Sequence, residues 1–236
     1  MKNVKVILWG LGAMGGGIGK MLTKKKGVDI VGAIDIGDKI GKSLYDVVPG
    51  IVKGDREDVI VGTPEEVIKP GAADIVVVCT NSFTKDVFDK LVFVMERGMN
   101  VITSAEEMAY PQAQEPELAK KLDEIAKKNG VSVMGTGINP GLIMDLLVVL
   151  WTAACEEVNH VTSRRVNSLS PFGPAVMEEQ GIGISVEEFN ERKANGTMAG
   201  HVGFAESTMM ICDALGWKWD DFGQDMEPIV TDVDRK

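Results

Sequence analysis

Apolar positions fall into two regimes along the chain. One is the short, near-continuous apolar run, and the other is a longer stretch with apolar residues every three or four positions. "VKVILWG" (4–10), "VDIVGAID" (28–35), "ADIVVVCT" (73–80), "NVIT" (100–103) and "VSVMG" (131–135) are of the first kind, with "DVIVG" (58–62) a weaker member. Such runs predict parallel strands covered on both faces. Between them, "AMGGGIGKMLTKKKG" (13–27) is Gly-rich at its start and ends in Lys24–Lys26 and Gly27, a favourable helix stop. "PEEVIKPG" (64–71) predicts a short helix opened by proline. "SFTKDVFDKLVFVMERG" (82–98) spaces Val87, Leu91, Val94 and Met95 helically, and "EPELAKKLDEIAKKNG" (115–130) is amphipathic. Strand–helix alternation at these lengths predicts an α/β fold: right-handed βαβ units forming a doubly wound parallel sheet over residues 1–135.

The pattern changes in residues 136–236. "GLIMDLLVVLWTAACEEV" (141–158) predicts an apolar helix packed between domains, and "NHVTSRRVNSL" (159–169) alternates loosely, like a strand. Helical patterns follow at 186–196 and 203–217, and "PIVTDVDRK" (228–236) reads as a last strand. Two strands rarely make a stable sheet by themselves. This region therefore reads as a partial, smaller α+β domain for substrate binding and dimerisation.

Composition narrows the function classes. The 236 residues are 44% hydrophobic, enough for one large domain or two modest ones, and the net charge is −10. That charge argues against nucleic acid or an anionic membrane as partner. Cys79, Cys155 and Cys212 lack metal-type spacing and there are two histidines, so no metal site is expected and the cysteines are expected as buried free thiols. No apolar stretch reaches the ~20 residues of a membrane span, and the expected location is the cytoplasm. A symmetric homodimer is the expected assembly.

The first βα turn carries the clearest motif. Gly10-Leu11-Gly12-Ala13-Met14-Gly15 fits G-x-G-x-x-G between a strand and a helix, the setting of a dinucleotide-binding Rossmann turn. Gly10 would make the tight turn, Gly12 would let the backbone approach a pyrophosphate, and Gly15 would let helix and strand pack closely. Asp35 ends the second strand, 20 residues after Gly15, where a carboxylate can bind the adenosine ribose hydroxyls. Its charge favours NAD over NADP, while Lys39 and Lys42 just beyond it keep NADP open. Ligands in such sheets lie beyond the carboxyl ends of the strands. That places Thr80, Asn81, Thr103, Ser104, Glu106, Glu107, Thr136 and Asn139 near the chemistry, with Thr80, Asn81 and Ser104 toward the cofactor.

In "TSAEEMAYP" (103–111) two adjacent carboxylates follow a strand end. A carboxylate there can remove a proton from an ammonium and hold the water that follows, its basicity raised by partial burial and by a neighbouring acid. The plainer reading is acidic preference at a helix start. Asn139 can bind substrate or simply form the turn before Pro140. Arg164 or Arg165 can pair with a substrate carboxylate, one of them facing inward if the segment is a strand. His201 can contact polar groups of the substrate.

The motifs "WGLGAMGGG", "VVVCTNSFTKD", "TSAEEMAYP" and "GTGINPGLIMD" together resemble the dihydrodipicolinate reductase-like superfamily and, within it, the 2,4-diaminopentanoate dehydrogenases and related native amine dehydrogenases. The resemblance implies NAD(P)-dependent oxidative deamination of 2,4-diaminopentanoate to 2-amino-4-oxopentanoate, with ammonia release, in amino-acid degradation. It favours the acids as one working base and one neighbour, with Glu107 slightly preferred over Glu106. The reductases carry a His-rich segment with a lysine and a Pro-Ser-Gly-Thr turn, whereas "HVTSRRVNSLSPFGPA" has one histidine and no such turn. The alternatives are an imine or semialdehyde reductase and a nucleotide-binding module without catalysis.

Overall fold

In the computed structural model, which describes residues 2–169, 177–178, 180–198 and 200–230, the apolar runs form one parallel sheet. Its strands are β1 (Val4–Trp9), β2 (Val28–Ile34), β3 (Val61–Gly62), β4 (Ile75–Val78), β5 (Asn100–Thr103) and β6 (Val133–Gly135). They lie in the order β3-β2-β1-β4-β5-β6, all neighbours parallel. The order reverses between β1 and β4, which opens a crevice beyond their carboxyl ends.

The alternation of side chains along β1 sends residues to two separate cores. Ile7 and Trp9 pack with Val87, Leu91, Val94 and Met95 of α4 (Thr84–Met95) and with Leu122 and Ala126 of α5 (Pro116–Asn129). Val6 and Leu8 face the other way, onto Ile30, Ala33, Leu44, Val48 and Ile51. Burying each large aliphatic side chain is worth roughly 1.5–3 kcal/mol, so both faces hold the sheet. α1 (Ala13–Leu22) follows β1 directly, and the short helices α2 (Leu44–Val47) and α3 (Pro64–Val67) fill the connections around β3. The third strand is shorter than its apolar run suggested. Ile60 makes only an isolated bridge to Ser43, because the chain between β2 and β3 folds into α2 instead of extending.

Residues 136–230 depart more from expectation. The long apolar helix is reduced to α6 (Leu146–Thr152). Asp145 turns inward and becomes its cap: its carboxylate accepts from Leu146 N–H at 2.6 Å, Gly141 N–H at 2.7 Å and the Ser207 hydroxyl at 2.8 Å. That pull holds Asp145 at φ −135°, ψ −81°, outside helical geometry, so the helix starts after it. α6 is also not packed between domains. Leu150 and Trp151 are 68% and 69% exposed, and none of its residues is buried. Residues 159–169 form no strand, and neither do 228–230, while 231–236 lie outside the described residues. A loosely alternating pattern becomes a strand only against a ladder partner, and no sheet forms among the described residues of this region. α7 (Val186–Ala194) and α8 (Phe204–Leu215) form as their periodicity predicts. Cys155 is exposed and Cys79 and Cys212 are half-buried, so the expectation of buried thiols fails, most clearly where the helix ended early. No helix among the described residues is long and apolar enough to cross a membrane.

Candidate active site

The glycine turn is built as its spacing implies. Gly10 has φ +95°, and a Cβ there would lie 2.5 Å from the Cys79 carbonyl oxygen, so only glycine allows β1 to turn against β4. A Cβ on Gly15 would sit 1.8 Å from the Gly10 oxygen, which is the close helix–strand approach of such a turn. Gly12 is different: its Cβ would meet nothing within 4 Å, and it starts α1 without a side-chain cap. The first N–H groups of a ten-residue helix therefore face open space, beside exposed Ala13 and Met14. These features fit a pyrophosphate at a helix N-terminus.

Asp35 follows β2 and points back to this turn. One oxygen accepts from Leu11 N–H at 2.7 Å and from the Lys39 ammonium at 2.8 Å, and the other from Ile36 N–H at 2.7 Å. Burial pushes its pKa up, but the Lys39 hydrogen bond and the two backbone donors outweigh that, and it titrates below the usual carboxylate range. The carboxylate keeps acceptor capacity for ribose hydroxyls. Lys39 neutralises it, while Lys42 is spent on Asp38.

At the end of β4, Lys90 of α4 reaches over to Thr80 and Asn81 and donates to both side-chain oxygens. Burial lowers the pKa of this lysine. The pair is thus held by a cation that the sequence reading did not single out. Ser104 is placed against Cys79, whose thiol pKa is raised by burial, with the Ser104 contact opposing.

The acid pair opens a 3₁₀ turn, Glu106–Ala109, after β5. The helix-start reading is therefore realised in short form, and the two carboxylates diverge. Glu107 is 7% exposed and accepts from Thr84 N–H at 2.7 Å, capping α4 from across the crevice. Glu106 is half-buried and faces a cavity of about 680 Å³, lined also by Ser82, Phe83, Arg165, Met198 and His201. Gly135 holds the turn down: a Cβ there would fall 1.9 Å from the Met108 carbonyl oxygen.

Asn139 and His201 meet although 62 residues apart, with the Asn139 amide nitrogen 3.1 Å from His201 Nε2. Burial lowers the His201 pKa, Arg165 adds to this, and Glu106 opposes it. The ring packs on Phe204 at 4.4 Å between centroids. Asn139 Oδ1 is buried without a protein partner. Both arginines are exposed, but Arg165 lines the cavity and Arg164 does not. Their segment is irregular, so the strand argument for choosing between them does not apply. Among the expected substrate-side residues, the cavity brings together Glu106, Arg165 and His201, with Asn139 behind the histidine.

Two functional-looking groups escaped the sequence reading. Gln114 donates to Glu206 Oε1 at 2.7 Å and lies 3.4 Å from Glu107 Oε1, so one amide spans two acids. Glu206, in the first turn of α8, is 0% exposed. Its signal was a carboxylate inside the small and apolar stretch "GFAESTMMIC", which reads as ordinary acidic preference at a helix start. Tyr110 donates to Asp213 at 2.5 Å and ties the same turn to α8; burial and that carboxylate push its pKa up to about 12.

The profile of the 2,4-diaminopentanoate dehydrogenase C-terminal domain matches residues 142–236. The 2,4-diaminopentanoate dehydrogenase of Acetoanaerobium sticklandii is 66% identical over the whole of this chain, which spans 67% of that protein. The structure of an amine dehydrogenase from Mycobacterium smegmatis superposes with a TM-score of 0.68 at 28% identity, covering 91% of this chain and 61% of that one. The chain belongs to the 2,4-diaminopentanoate dehydrogenase family.

Proposed function

We propose that the chain carries the NAD(P)-dependent oxidative deamination of 2,4-diaminopentanoate to 2-amino-4-oxopentanoate, releasing ammonia. The observation that carries this reading is the cavity beyond β5, where Glu106, Arg165 and His201 meet beside the crevice of the glycine turn. The family relationship supports the substrate, and the uncapped start of α1 with Asp35 supports a dinucleotide. When bound, a nicotinamide supplies the hydride acceptor. Residues 1–135 would hold it, and 136–236 would contribute substrate contacts and the surface of a homodimer.

In this mechanism Glu106 takes the proton of the reacting ammonium, which frees the nitrogen lone pair for iminium formation as the adjacent C–H leaves with its electron pair. Once that proton has passed to solvent, the same carboxylate holds a water, accepts its proton as oxygen attacks the iminium carbon, and returns it to the departing nitrogen. The resulting amino-alcohol expels ammonia and leaves the ketone, so one water is consumed and one carbonyl formed. Arg165 pairs with the substrate carboxylate. His201, whose pKa is lowered by burial, orients the substrate from its place against Asn139. Glu106 is assigned as base over Glu107 because Glu107 is already committed to the start of α4.

The test is nicotinamide reduction at 340 nm with ammonia measured in parallel, over a panel of amines and both cofactors. Equal amounts of reduced cofactor and ammonia are expected with 2,4-diaminopentanoate. Turnover of dihydrodipicolinate with none of the diamine would overturn the reading.

A further inference from the structure

Two carboxylates, Asp145 and Glu206, are completely enclosed among the described residues, and the fold treats them oppositely. Asp145 has both oxygens satisfied by donors. Glu206 has one, through Gln114, while its Oε2 is buried with no protein partner. Such an oxygen is costly to bury unless something arrives to meet it. Glu206 lines a second cavity, of about 190 Å³, together with Glu107, Gln114, His201 and the rings of Phe83, Phe204 and Phe222. This cavity shares Phe83, His201 and Val202 with the larger one that Glu106 faces.

The lining offers two carboxylates and aromatic rings, and no basic side chain forms an ion pair with either acid among the described residues. Lys85, at the start of α4, is held by Glu115. Among the described residues no group of three histidine, cysteine, aspartate or glutamate side chains is arranged to hold a metal ion. Acceptor oxygens with aromatic rings, in a space for one small group, match a primary ammonium.

We propose that this enclosure is a subsite for the amino group of the diamine that does not react, held by Glu206 with Glu107 opposite and Gln114 between them. The proposal rests on the diamine reading above and makes Glu206 the residue that selects diamines over monoamines. Burial raises the Glu206 pKa, Gln114 and a backbone donor oppose this, and the charge of Glu107 adds to it. The other titratable group in the lining is His201, while Asp213 and Asp145 are tied to Tyr110 and Ser207.

The test compares 2,4-diaminopentanoate with 4-aminopentanoate, which lacks the second amine, on wild type and Glu206→Gln. The ratio of kcat/KM for diamine over monoamine is expected to fall about 10- to 100-fold, the loss of one charge-assisted hydrogen bond. A ratio unchanged by the substitution overturns the subsite, even where both activities fall. Calorimetric binding of the same two compounds to the cofactor-loaded enzyme separates this outcome from failure of the proposed reaction. If neither compound turns over, a diamine preference that Glu206→Gln removes still supports the subsite, and equal binding overturns it.

Discussion

Alanine at Gly12 and alanine at Gly15 separate the cofactor role of the glycine turn from its structural role. At Gly15 the new methyl would lie 1.8 Å from the Gly10 oxygen. An ordinary carbon–oxygen contact is about 3.3 Å, so α1 and β1 must part by roughly 1.5 Å. Both are backbone neighbours in the centre of the fold, and overpacking of this kind costs about 1–3 kcal/mol or more. For a chain of this size that is a Tm loss of about 2–4 °C per kcal/mol. At Gly12 the methyl would meet nothing within 4 Å and φ is −76°, so the fold has room for it. The stability change there stays within about 1 kcal/mol, the difference between glycine and alanine at a helix start. The methyl would nevertheless occupy the space over the α1 N–H groups, and NADH binding is expected to weaken tenfold or more. The assay is NADH fluorescence titration alongside thermal melting. Gly12→Ala with wild-type NADH affinity would refute the placement of a pyrophosphate on α1. Gly15→Ala with an unchanged Tm would refute the packing argument.

Glu106→Gln is expected to lower kcat about 100-fold or more with an unchanged Tm. Glu107→Gln weakens the cap on Thr84 N–H and is expected to cost about 1 kcal/mol by chemical denaturation. Equal turnover losses and equal stabilities in the two variants would contradict the division of labour between them. Lys39→Ala is expected to reduce NADP affinity more than NAD affinity, read as the ratio of the two Kd values. The folded-state pKa of Asp35 is depressed, so its contribution to stability is present above the ordinary aspartate range and is lost as pH falls through its folded value. Lys39→Ala should move that acid-side loss to higher pH in urea titrations. A tyrosinate titration at 295 nm should show one phenol ionising near 12, absent in Tyr110→Phe.

The sheet was legible because its buried strands are written as short, near-continuous apolar runs, and their alternation with helices implied parallel pairing. The glycine turn was legible because backbone crowding leaves glycine as the sole choice at 10 and 15. The acid pair was found, but its division was not: which carboxylate caps α4 depends on the approach of Thr84, and nothing local to "SAEEM" records it. Glu206 was invisible for a related reason. Its partner Gln114 lies 92 residues earlier, and a first-turn glutamate has an ordinary local explanation. The apolar run at 141–158 misled because hydrophobicity measures a wish for burial, whereas Asp145 decided where the helix begins.

α8 brings Glu206, Ser207 and Asp213 to a 3₁₀ turn and a loop that precede it by 60 residues or more. During synthesis the sheet and its glycine turn leave the ribosome well before that helix. A nascent chain can therefore form the sheet and its glycine turn while the enclosure proposed for an ammonium still lacks the wall that α8 supplies.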